Sequence, residues 1–318
     1  MDDTLEAPQY LIDPRKFRDP ATTAEGEPRA RVRLRRLETL WFCTGTLCNL
    51  ECRNCYIESS PSNDSLVYLT AEEVRTYLNE IEREQLGTRS IGLTGGEPFM
   101  NPDILPILDD ALSRGFEVLV LTNAMKPMMK CADGLLALKQ RFGDRLTVRV
   151  SIDHYDQTLH EEERGPKSWA PTVAGLHWLT SNGFHVDIAG RLFSGESEES
   201  MRAGYQALFR REHIDLDASD RKRLVLFPEM DETVDVPEIT EGCWVKTGVS
   251  PDSLMCASSR MVIKRKGAEH PVVVPCTLLP YDPQFELSRT LAGSFTDVPL
   301  NHPHCAKFCV LGGASCGG

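Results

Sequence analysis

The sequence predicts an α/β protein built as a partial (β/α)6 barrel of the TIM type, followed by a small cysteine-rich domain. Three observations predict this fold. Six short apolar segments rich in β-branched residues recur between residues 37 and 227, and helical patterns separate most of them. Six strands are two short of a closed eight-stranded barrel, so we expect the barrel to stay open. Beyond about Val234 the alternation stops, and Pro, Gly and Cys become frequent.

Local signals place the individual strands and helices. We expect strands at residues 37–44, 90–94, 117–122, 146–152, 185–189 and 224–227. Thr70 and Glu73 predict a capping box at the start of the first helix. Asn101, followed by Pro102, indicates the N-cap of the second helix, and Gly115 indicates its end. Further helices are expected at about 127–141, 171–182 and 199–212.

These patterns divide the chain into three parts. Residues 1–36 carry scattered prolines and charges without an apolar period, so we expect an extended arm there. Residues 37–233 form the predicted barrel, and residues 234–318 form the cysteine-rich domain. This last part lacks long helical patterns, and we expect it to need metal in order to fold.

Composition narrows the possible functions. The formal net charge of −12 at pH 7 argues against nucleic-acid binding and is compatible with a neutral or cationic substrate. No apolar run is long enough to span a membrane, and no secretory signal is recognisable, so we expect a cytoplasmic protein without a membrane partner. Eleven cysteines, an odd number, indicate metal binding rather than a disulfide framework in that compartment.

Three of these cysteines lie directly after the first predicted strand. Cys48, Cys52 and Cys55, called here the N-terminal cysteine group, can supply three thiolates to a cubane iron-sulfur cluster and leave its fourth iron without a protein ligand. A zinc knuckle is the alternative. Zinc would need a fourth ligand nearby, and Cys43 on the predicted strand is the close spare thiol.

The second strand ends in a glycine pair that is followed by an acid. Gly95 and Gly96 allow backbone to approach a ligand closely, and Glu97 or a carbonyl oxygen can accept a hydrogen bond from an ammonium group. Without the cysteines upstream, the same residues would indicate a plain turn. Asn123, Ser151 and Arg191 follow or end the third, fourth and fifth predicted strands, where barrel proteins build their sites.

The N-terminal cysteine group, the aromatic Tyr56 behind it and the Gly-Gly-Glu-Pro sequence from Gly95 together resemble the signature of the radical S-adenosylmethionine (SAM) superfamily. The resemblance implies that the three cysteines hold a catalytic 4Fe-4S cluster whose open iron binds SAM. It implies that Tyr56 lies near the adenine and that the glycine turn binds the methionine amino group. It also implies SAM contacts for Asn123, Ser151 and Arg191, for which turn formation and a surface salt bridge are the competing interpretations.

The C-terminal part resembles the twitch and SPASM extensions of the same superfamily, which carry auxiliary iron-sulfur clusters. Cys256 and Cys276 flank a predicted β-hairpin, and Cys305, Cys309 and Cys316 follow close together. The cysteines beyond residue 240 are too few for two four-thiolate clusters, so we expect one auxiliary 4Fe-4S cluster. Its expected ligands are Cys256, Cys276, Cys305 and Cys309, called here the C-terminal cysteine group, with Cys316 as a substitute. A structural zinc site is the alternative.

The resemblance implies an enzyme that cleaves SAM to a deoxyadenosyl radical and abstracts hydrogen from a substrate, for which we favour a small molecule. If the auxiliary cluster accepts the second electron, the enzyme is an oxidoreductase of the dehydrogenase type. Epimerisation with Cys243 as hydrogen donor, and maturation of a peptide, are alternatives that use the same radical. Electrons would come from a reductant such as flavodoxin or ferredoxin. An electron-transfer module without turnover is the non-enzymatic alternative, and release of deoxyadenosine distinguishes it.

Overall fold

A parallel sheet with helices between its strands forms most of the molecule. The computed structural model describes residues 12–229 and 234–313. Its strands are β1 (Arg31–Val32), β2 (Thr39–Cys43), β3 (Ser90–Thr94), β4 (Glu117–Thr122), β5 (Leu146–Ser151), β6 (His185–Leu192), β7 (Leu224–Pro228), β8 (Ser259–Ile263), β9 (Val272–Val274) and β10 (Val298–Pro299). Its helices are α1 (Ala71–Arg83), α2 (Ile104–Ser113), α3 (Lys126–Lys130), α4 (Ala132–Phe142), α5 (Gln157–Arg164), α6 (Trp169–Ser181), α7 (Glu198–Arg211) and α8 (Cys243–Thr247).

All six predicted strands are present, as β2 to β7. They pair in parallel in the order β7-β6-β5-β4-β3-β2, each with its sequence neighbour. Because the strands are parallel, their carboxyl ends lie at the same edge of the sheet. The predicted α/β class with an open parallel sheet is therefore confirmed.

Alternation along a strand separates the core from the interior of the sheet. In β5, Val148 and Val150 are buried in the apolar layer between sheet and helices. The intervening Arg149 and the terminal Ser151 face the other side and line a cleft. A strand of period two thus delivers one face to the core and the other to the site.

The capping signals were partly right. Thr70 and Glu73 form the predicted capping box at α1. The N-cap at Asn101 is wrong, since α2 begins at Ile104 with Asp103 before it. The Asn101 amide instead donates to the carbonyl oxygens of Thr44 and Leu69, at 3.2 and 2.9 Å. Its side chain therefore ties the loops that follow neighbouring strands.

The other helices differ from the prediction in two places. The helix expected at about 127–141 is divided at Cys131 into α3 and α4. The prediction missed α5, a short and mostly polar helix whose N-cap, Asp156, accepts hydrogen bonds from the amides of Thr158 and Leu159. A short helix with almost no apolar face carries little periodic signal. None of the described helices combines the length and the apolar character needed to cross a membrane.

The C-terminal hairpin is present but belongs to the main sheet. Strands β8 and β9 pair antiparallel, as the sequence predicts, and β8 also pairs in parallel with β2. The segment before β2 is equally engaged, because β1 pairs with β10, and Ala30 and Val32 are fully buried. Residues 1–11 of the predicted arm lie outside the described residues. The division into three domains stays a prediction.

Candidate active site

A cleft opens at the carboxyl ends of the parallel strands. Its cavity volume is about 170 Å³. With the exception of Glu97, the residues predicted to bind the first cluster and SAM all line it: Cys48, Cys52, Cys55, Tyr56, Gly95, Gly96, Asn123, Ser151 and Arg191. The strand register explains why the cysteines and the glycine pair lie close together, because Cys43 at the end of β2 pairs with Thr94 at the end of β3. The loops that follow these two strands therefore start side by side.

The N-terminal cysteine group lies in the loop after β2. Burial raises the pKa of the Cys48 thiol to about 12 and also raises that of Cys52. Backbone amides already point at two of the sulfurs: Leu50 N–H donates to Cys48 Sγ and Ser59 N–H to Cys55 Sγ, both at 3.4 Å. Amide donors of this kind stabilise cluster-bound thiolates, and the positive charge of iron offsets the burial. The donor set therefore fits an iron-sulfur cluster.

Helix α5 anchors the cysteine loop from the opposite side of the cleft. Asn54 Nδ2 donates to the Glu163 carboxylate at 3.2 Å, and the Arg53 amide donates to the Glu163 carbonyl oxygen at 2.8 Å. The same carboxylate accepts from Arg191 Nη1 at 2.7 Å, and Glu229 accepts from Arg191 Nη2 at 2.8 and 2.9 Å. Arg191 thus lines the cleft and forms ion pairs at once.

The glycine turn lies against the backbone of the cysteine loop. Gly96 N–H donates to the Gly45 carbonyl oxygen at 2.8 Å, and Glu97 N–H donates to the Leu47 carbonyl oxygen at 3.1 Å. A Cβ atom at Gly95 would lie 2.4 Å from the Gly45 oxygen, and one at Gly96 would lie 2.3 Å from the Leu47 oxygen. Gly95 also has φ +138°, which side chains rarely allow. The glycines are required for the two loops to meet.

Glu97, one of the residues predicted to bind SAM, belongs to the packed interior and not to the lining of the cleft. Its side chain is buried and accepts from Thr122 Oγ1 at 2.8 Å, from the Asn123 amide at 2.9 Å and from the Phe99 amide at 3.1 Å. Burial raises its pKa to about 7, partly offset by these hydrogen bonds. The carboxylate thus holds the end of β4 against the glycine turn.

Asn123 directly follows β4, and Ser151 is the last residue of β5. Asn123 Nδ2 donates to Asn49 Oδ1 at 2.9 Å and lies 4.0 Å from Cys48 Sγ, while Asn123 Oδ1 accepts from the Met125 amide at 3.1 Å. Its amide therefore supports the cysteine loop and also forms the expected turn. Ser151, at the end of β5, is partly exposed in the cleft.

Three further charged residues line the cleft: Arg149, Asp153 and Arg164. Arg164 at the end of α5 donates to Asp153 at 3.0 Å, and both side chains are largely buried. The guanidinium lies close enough to Cys52 to lower the pKa of that thiol against the effect of burial. Arg149 forms part of the cleft floor and pairs with Asp187 at 3.5 Å. Asp153 lies two residues beyond the end of β5, at the edge where the parallel strands end.

The C-terminal cysteines lie in a second group, apart from the N-terminal cysteine group. Cys256, Cys276 and Cys305 are buried in one apolar cluster, and the pKa of Cys305 is raised by burial and then by the neighbouring Cys276 and Cys256. Cys309 lies one turn beyond Cys305 in a π-helical segment, Cys305–Leu311, and packs on the same cluster. Cys316 lies outside the described residues.

A buried arginine accompanies these thiols. Arg260 Nη1 donates to the Cys256 carbonyl oxygen at 2.7 Å, and Arg260 Nε donates to that of Ser294 at 3.1 Å. Burial lowers the pKa of Arg260 to about 10, and the adjacent Cys256 and Cys276 act against that shift. Within residues 12–229 and 234–313, no three His, Cys, Asp or Glu side chains gather closely enough to hold a single metal ion. A cubane cluster distributes its ligands over several metal atoms, and a buried cation suits such a group of thiolates.

Comparison with known proteins gives relatives that match a little under half of the chain. AlbA, the antilisterial bacteriocin subtilosin biosynthesis protein of Bacillus subtilis, is 31% identical over 147 residues, which are 46% of this chain and 31% of AlbA. The mycofactocin maturase MftC of Mycobacterium ulcerans is 29% identical over 137 residues, which are 43% of this chain and 35% of MftC. The matches therefore span about a third of the length of these curated relatives.

Solved structures share the fold over a longer stretch. Streptococcus suis SuiB bound to the precursor peptide SuiA superimposes with a TM-score of 0.60 at 15% identity. The match covers 83% of this chain and 66% of SuiB.

The sequence model of the radical SAM superfamily matches residues 43–206, just over half of the chain. That stretch runs from the end of β2 into α7 and carries the whole N-terminal cysteine group, the glycine turn and the ends of β4, β5 and β6. The chain therefore belongs to the radical SAM superfamily, a family of enzymes that use a 4Fe-4S cluster and S-adenosylmethionine.

Proposed function

We propose that this chain cleaves SAM reductively in the cleft and abstracts a hydrogen atom from a carbon atom of its substrate. The observation that carries the proposal is the meeting of the three thiols of the N-terminal cysteine group with the glycine turn in one cleft. When bound, the cluster supplies the electron that breaks SAM into methionine and a deoxyadenosyl radical. The protein contributes binding, orientation and shielding from water.

The residues of the chain have distinct parts in this proposal. Cys48, Cys52 and Cys55, which line the cleft, would hold three irons of the cluster and leave the fourth without a protein ligand. The amides of Gly96 and Glu97 are already bonded within the protein, whereas Gly95 and Gly96, which have carbonyl oxygens but no side chains, line the cleft. We therefore assign the methionine ammonium group to those two carbonyls rather than to the buried Glu97 carboxylate.

Three further side chains bind the remaining parts of SAM. Tyr56, whose hydroxyl is 3.1 Å from Thr94 Oγ1, lies beside the adenine. Ser151 takes the ribose or the carboxylate. Arg191 lies next to the carboxylate, and Glu163 and Glu229 fix its orientation. Asn123 acts indirectly, by holding the cysteine loop through Asn49.

We assign an auxiliary 4Fe-4S cluster to the C-terminal cysteine group. An apolar pocket adjoins the cleft on the side of these cysteines and is lined by Asn54, Tyr56, Arg191, Phe227, Pro228, Leu278 and Phe308. Phe227 stacks on Phe308 with ring centroids 5.8 Å apart, and Phe308 precedes Cys309 in the chain. A substrate in this pocket would lie against Tyr56, the neighbour of Cys55, and Phe308, the neighbour of Cys309, so an auxiliary cluster held by the C-terminal cysteine group would be placed to accept an electron from it. Oxidation is the outcome that this arrangement favours.

Epimerisation is less well supported. Cys243 does not belong to the described lining of the cleft or of the adjoining pocket. Its sulfur lies 3.4 Å from the Thr240 amide, which donates to it. A hydrogen donor must reach the substrate radical directly, so this thiol is an unsuitable candidate.

A peptide is the second candidate for the substrate, beside the small molecule that the sequence favours. AlbA and MftC are named for bacteriocin biosynthesis and for maturation of mycofactocin. The apolar pocket suits an aliphatic or aromatic side chain of a peptide as well as a small molecule of that character.

The reaction is tested with the anaerobic, iron-loaded protein, SAM and dithionite. We expect release of deoxyadenosine, and we expect none from the variant in which the N-terminal cysteine group is replaced by Ala. The matched control is Cys131→Ala, which removes a half-buried thiol outside the cleft. Deoxyadenosine from the triple variant at the wild-type rate would refute the assignment.

A further inference from the structure

A second groove lies on the outside of the barrel, next to the loop that carries Cys48. It measures about 720 Å³ and runs between the start of α2 and helix α3. We call it the Met125 groove, and its lining is Asn49, Phe99, Met100, Asn101, Pro102, Ile104, Leu105, Met125, Lys126, Pro127, Lys130 and Cys131. The cleft and the Met125 groove share no lining residue, so they are separate sites.

The charge of the Met125 groove is opposite to that of the whole chain. Lys126 and Lys130 lie one helical turn apart on α3, and both are exposed. They are the two charged residues in the described lining, and neither forms an ion pair with a described carboxylate. The chain as a whole has a net charge of −12. A local pair of unneutralised lysines beside apolar side chains is therefore a distinct feature of this surface.

Short contacts connect the groove with the N-terminal cysteine group. Asn49 Nδ2 lies 3.7 Å from Met125 Sδ, and Asn49 Oδ1 accepts from Asn123 Nδ2 at 2.9 Å. Asn123 Nδ2 is in turn 4.0 Å from Cys48 Sγ. Asn49 is also the covalent neighbour of Cys48. A molecule in the Met125 groove would thus be separated from Cys48 by one layer of side chains.

We propose that the Met125 groove docks an acidic one-electron carrier protein, which reduces the cluster held by Cys48, Cys52 and Cys55. This inference rests on the proposed function. The apolar floor supplies contact area, and the two lysines attract and orient a carboxylate-rich rim around the redox group of the carrier. In each encounter the carrier is oxidised by one electron and the cluster is reduced by one electron. No bond is made or broken.

Electron transfer weakens steeply with distance, so the carrier must approach the cluster closely without entering the cleft that SAM and substrate occupy. The Met125 groove meets both conditions, because Asn49 of the cysteine loop lines it and it shares no lining residue with the cleft. A precursor peptide is the competing occupant. A peptide bound there would be separated from the cleft by the cysteine loop, and its reacting carbon would be shielded from the radical.

The test combines a charge reversal with a matched control. The double variant Lys126→Glu/Lys130→Glu reverses both lysines of the groove. The control Arg221→Glu/Lys222→Glu makes the same change in net charge among exposed residues ahead of β7, at the other end of the strands. The probe is a bacterial flavodoxin, and the cluster-loaded protein is used throughout.

Direct binding is the first readout and does not depend on turnover. By anaerobic calorimetry at low ionic strength, the groove variant should bind oxidised flavodoxin at least about tenfold more weakly than wild type, while the control changes less than about threefold. Carbodiimide coupling should join flavodoxin carboxylates to Lys126 or Lys130 of the wild type, as read by mass spectrometry. Equal weakening in both variants, or cross-links confined to other lysines, would overturn the proposal.

Two reductants separate this proposal from the proposed function. With reduced flavodoxin, the groove variant should form deoxyadenosine at least about tenfold more slowly than wild type at limiting flavodoxin, while with dithionite the two should be equal. Failure of wild type to form deoxyadenosine with dithionite counts against the proposed function alone, because binding and cross-linking still test the groove. Cross-linking of a peptide at the groove with flavodoxin excluded from it would assign the groove to the substrate instead.

Discussion

The buried carboxylate of Glu97 makes the stability of this protein depend on pH in a way that one substitution removes. Burial raises its pKa from 4.5 to about 7 in the folded chain. A carboxyl group whose folded pKa is raised contributes stability that is fully present below the unfolded pKa and is lost as pH rises through the folded pKa. The wild type should therefore become less stable between about pH 4.5 and pH 7 on account of this group.

The perturbation is Glu97→Gln, which keeps the shape and an acceptor oxygen but cannot ionise. Between pH 5.5 and pH 8 the pKa shift corresponds to about 2 kcal/mol, since each unit is worth about 1.4 kcal/mol. The other groups that act on this carboxylate are the side chain of Thr122, the amides of Phe99 and Asn123, and the charge of Arg164. Because they are present in both proteins, the difference between variant and wild type isolates Glu97.

The assay is the difference in Tm between the cluster-loaded variant and wild type at pH 5.5, 6.5 and 8, measured under nitrogen. From pH 5.5 to pH 8, the Tm of the variant relative to that of the wild type should rise by roughly 3 °C, whatever the absolute stability of the variant. The companion variant Glu97→Ala leaves two buried amides without an acceptor and should be less stable than the Gln variant by about 2 kcal/mol. Parallel pH dependence of variant and wild type, or an Ala variant that loses only SAM affinity, would refute the structural role of Glu97.

Three further results are expected. Replacing the N-terminal cysteine group by Ala should reduce the iron content to that of one cluster and abolish deoxyadenosine formation; unchanged iron would contradict the cluster assignment. In Cys256→Ala/Cys276→Ala, Mössbauer spectra should show one cluster instead of two, and deoxyadenosine should still form without product, provided the variant is soluble and monodisperse; zinc at these sites in the wild type would exclude the auxiliary cluster. Gly96→Ala brings a Cβ to 2.3 Å from the Leu47 carbonyl oxygen, so the loops must separate by about 1 Å, and SAM cleavage should slow roughly 100-fold with the iron content retained. Wild-type turnover in that variant would show that the contact of the two loops is not required.

Local sequence predicted the architecture because a parallel α/β fold repeats one local unit. Each strand of the barrel is a short apolar run, and most of the connecting helices have an apolar face, so these elements are visible without knowledge of their partners. The position of Cys48, Gly95, Asn123 and Ser151 directly after or at the end of such strands was enough to predict one common cleft, since parallel strands end at one edge. The N-terminal cysteine group, Tyr56 and the Gly-Gly-Glu-Pro sequence together indicated the family.

Helix α5 could not be predicted in the same way, and neither could its function. Its polar sequence has almost no apolar period, yet Glu163 and Arg164 at its end hold the cysteine loop and the cleft wall. Glu163 contacts Asn54, which is remote along the chain, while Arg164 pairs with Asp153 eleven residues before it, and both contacts form only in the folded protein. Sequence spacing carries no information about such contacts.

The sequence by itself determined the sheet of six parallel strands, the three cysteines at its edge and the glycine turn beside them. Only the tertiary structure decided that Glu97 is a buried support, because its three hydrogen-bond donors come from two different strand ends. Only the tertiary structure joined β8 to β2 and thereby attached the C-terminal cysteines to the barrel, since the pairing of distant strands depends on which edge is left open. Likewise, the two lysines of the Met125 groove lie near the cysteine loop because Asn49 contacts Met125, and this contact exists only in the folded protein.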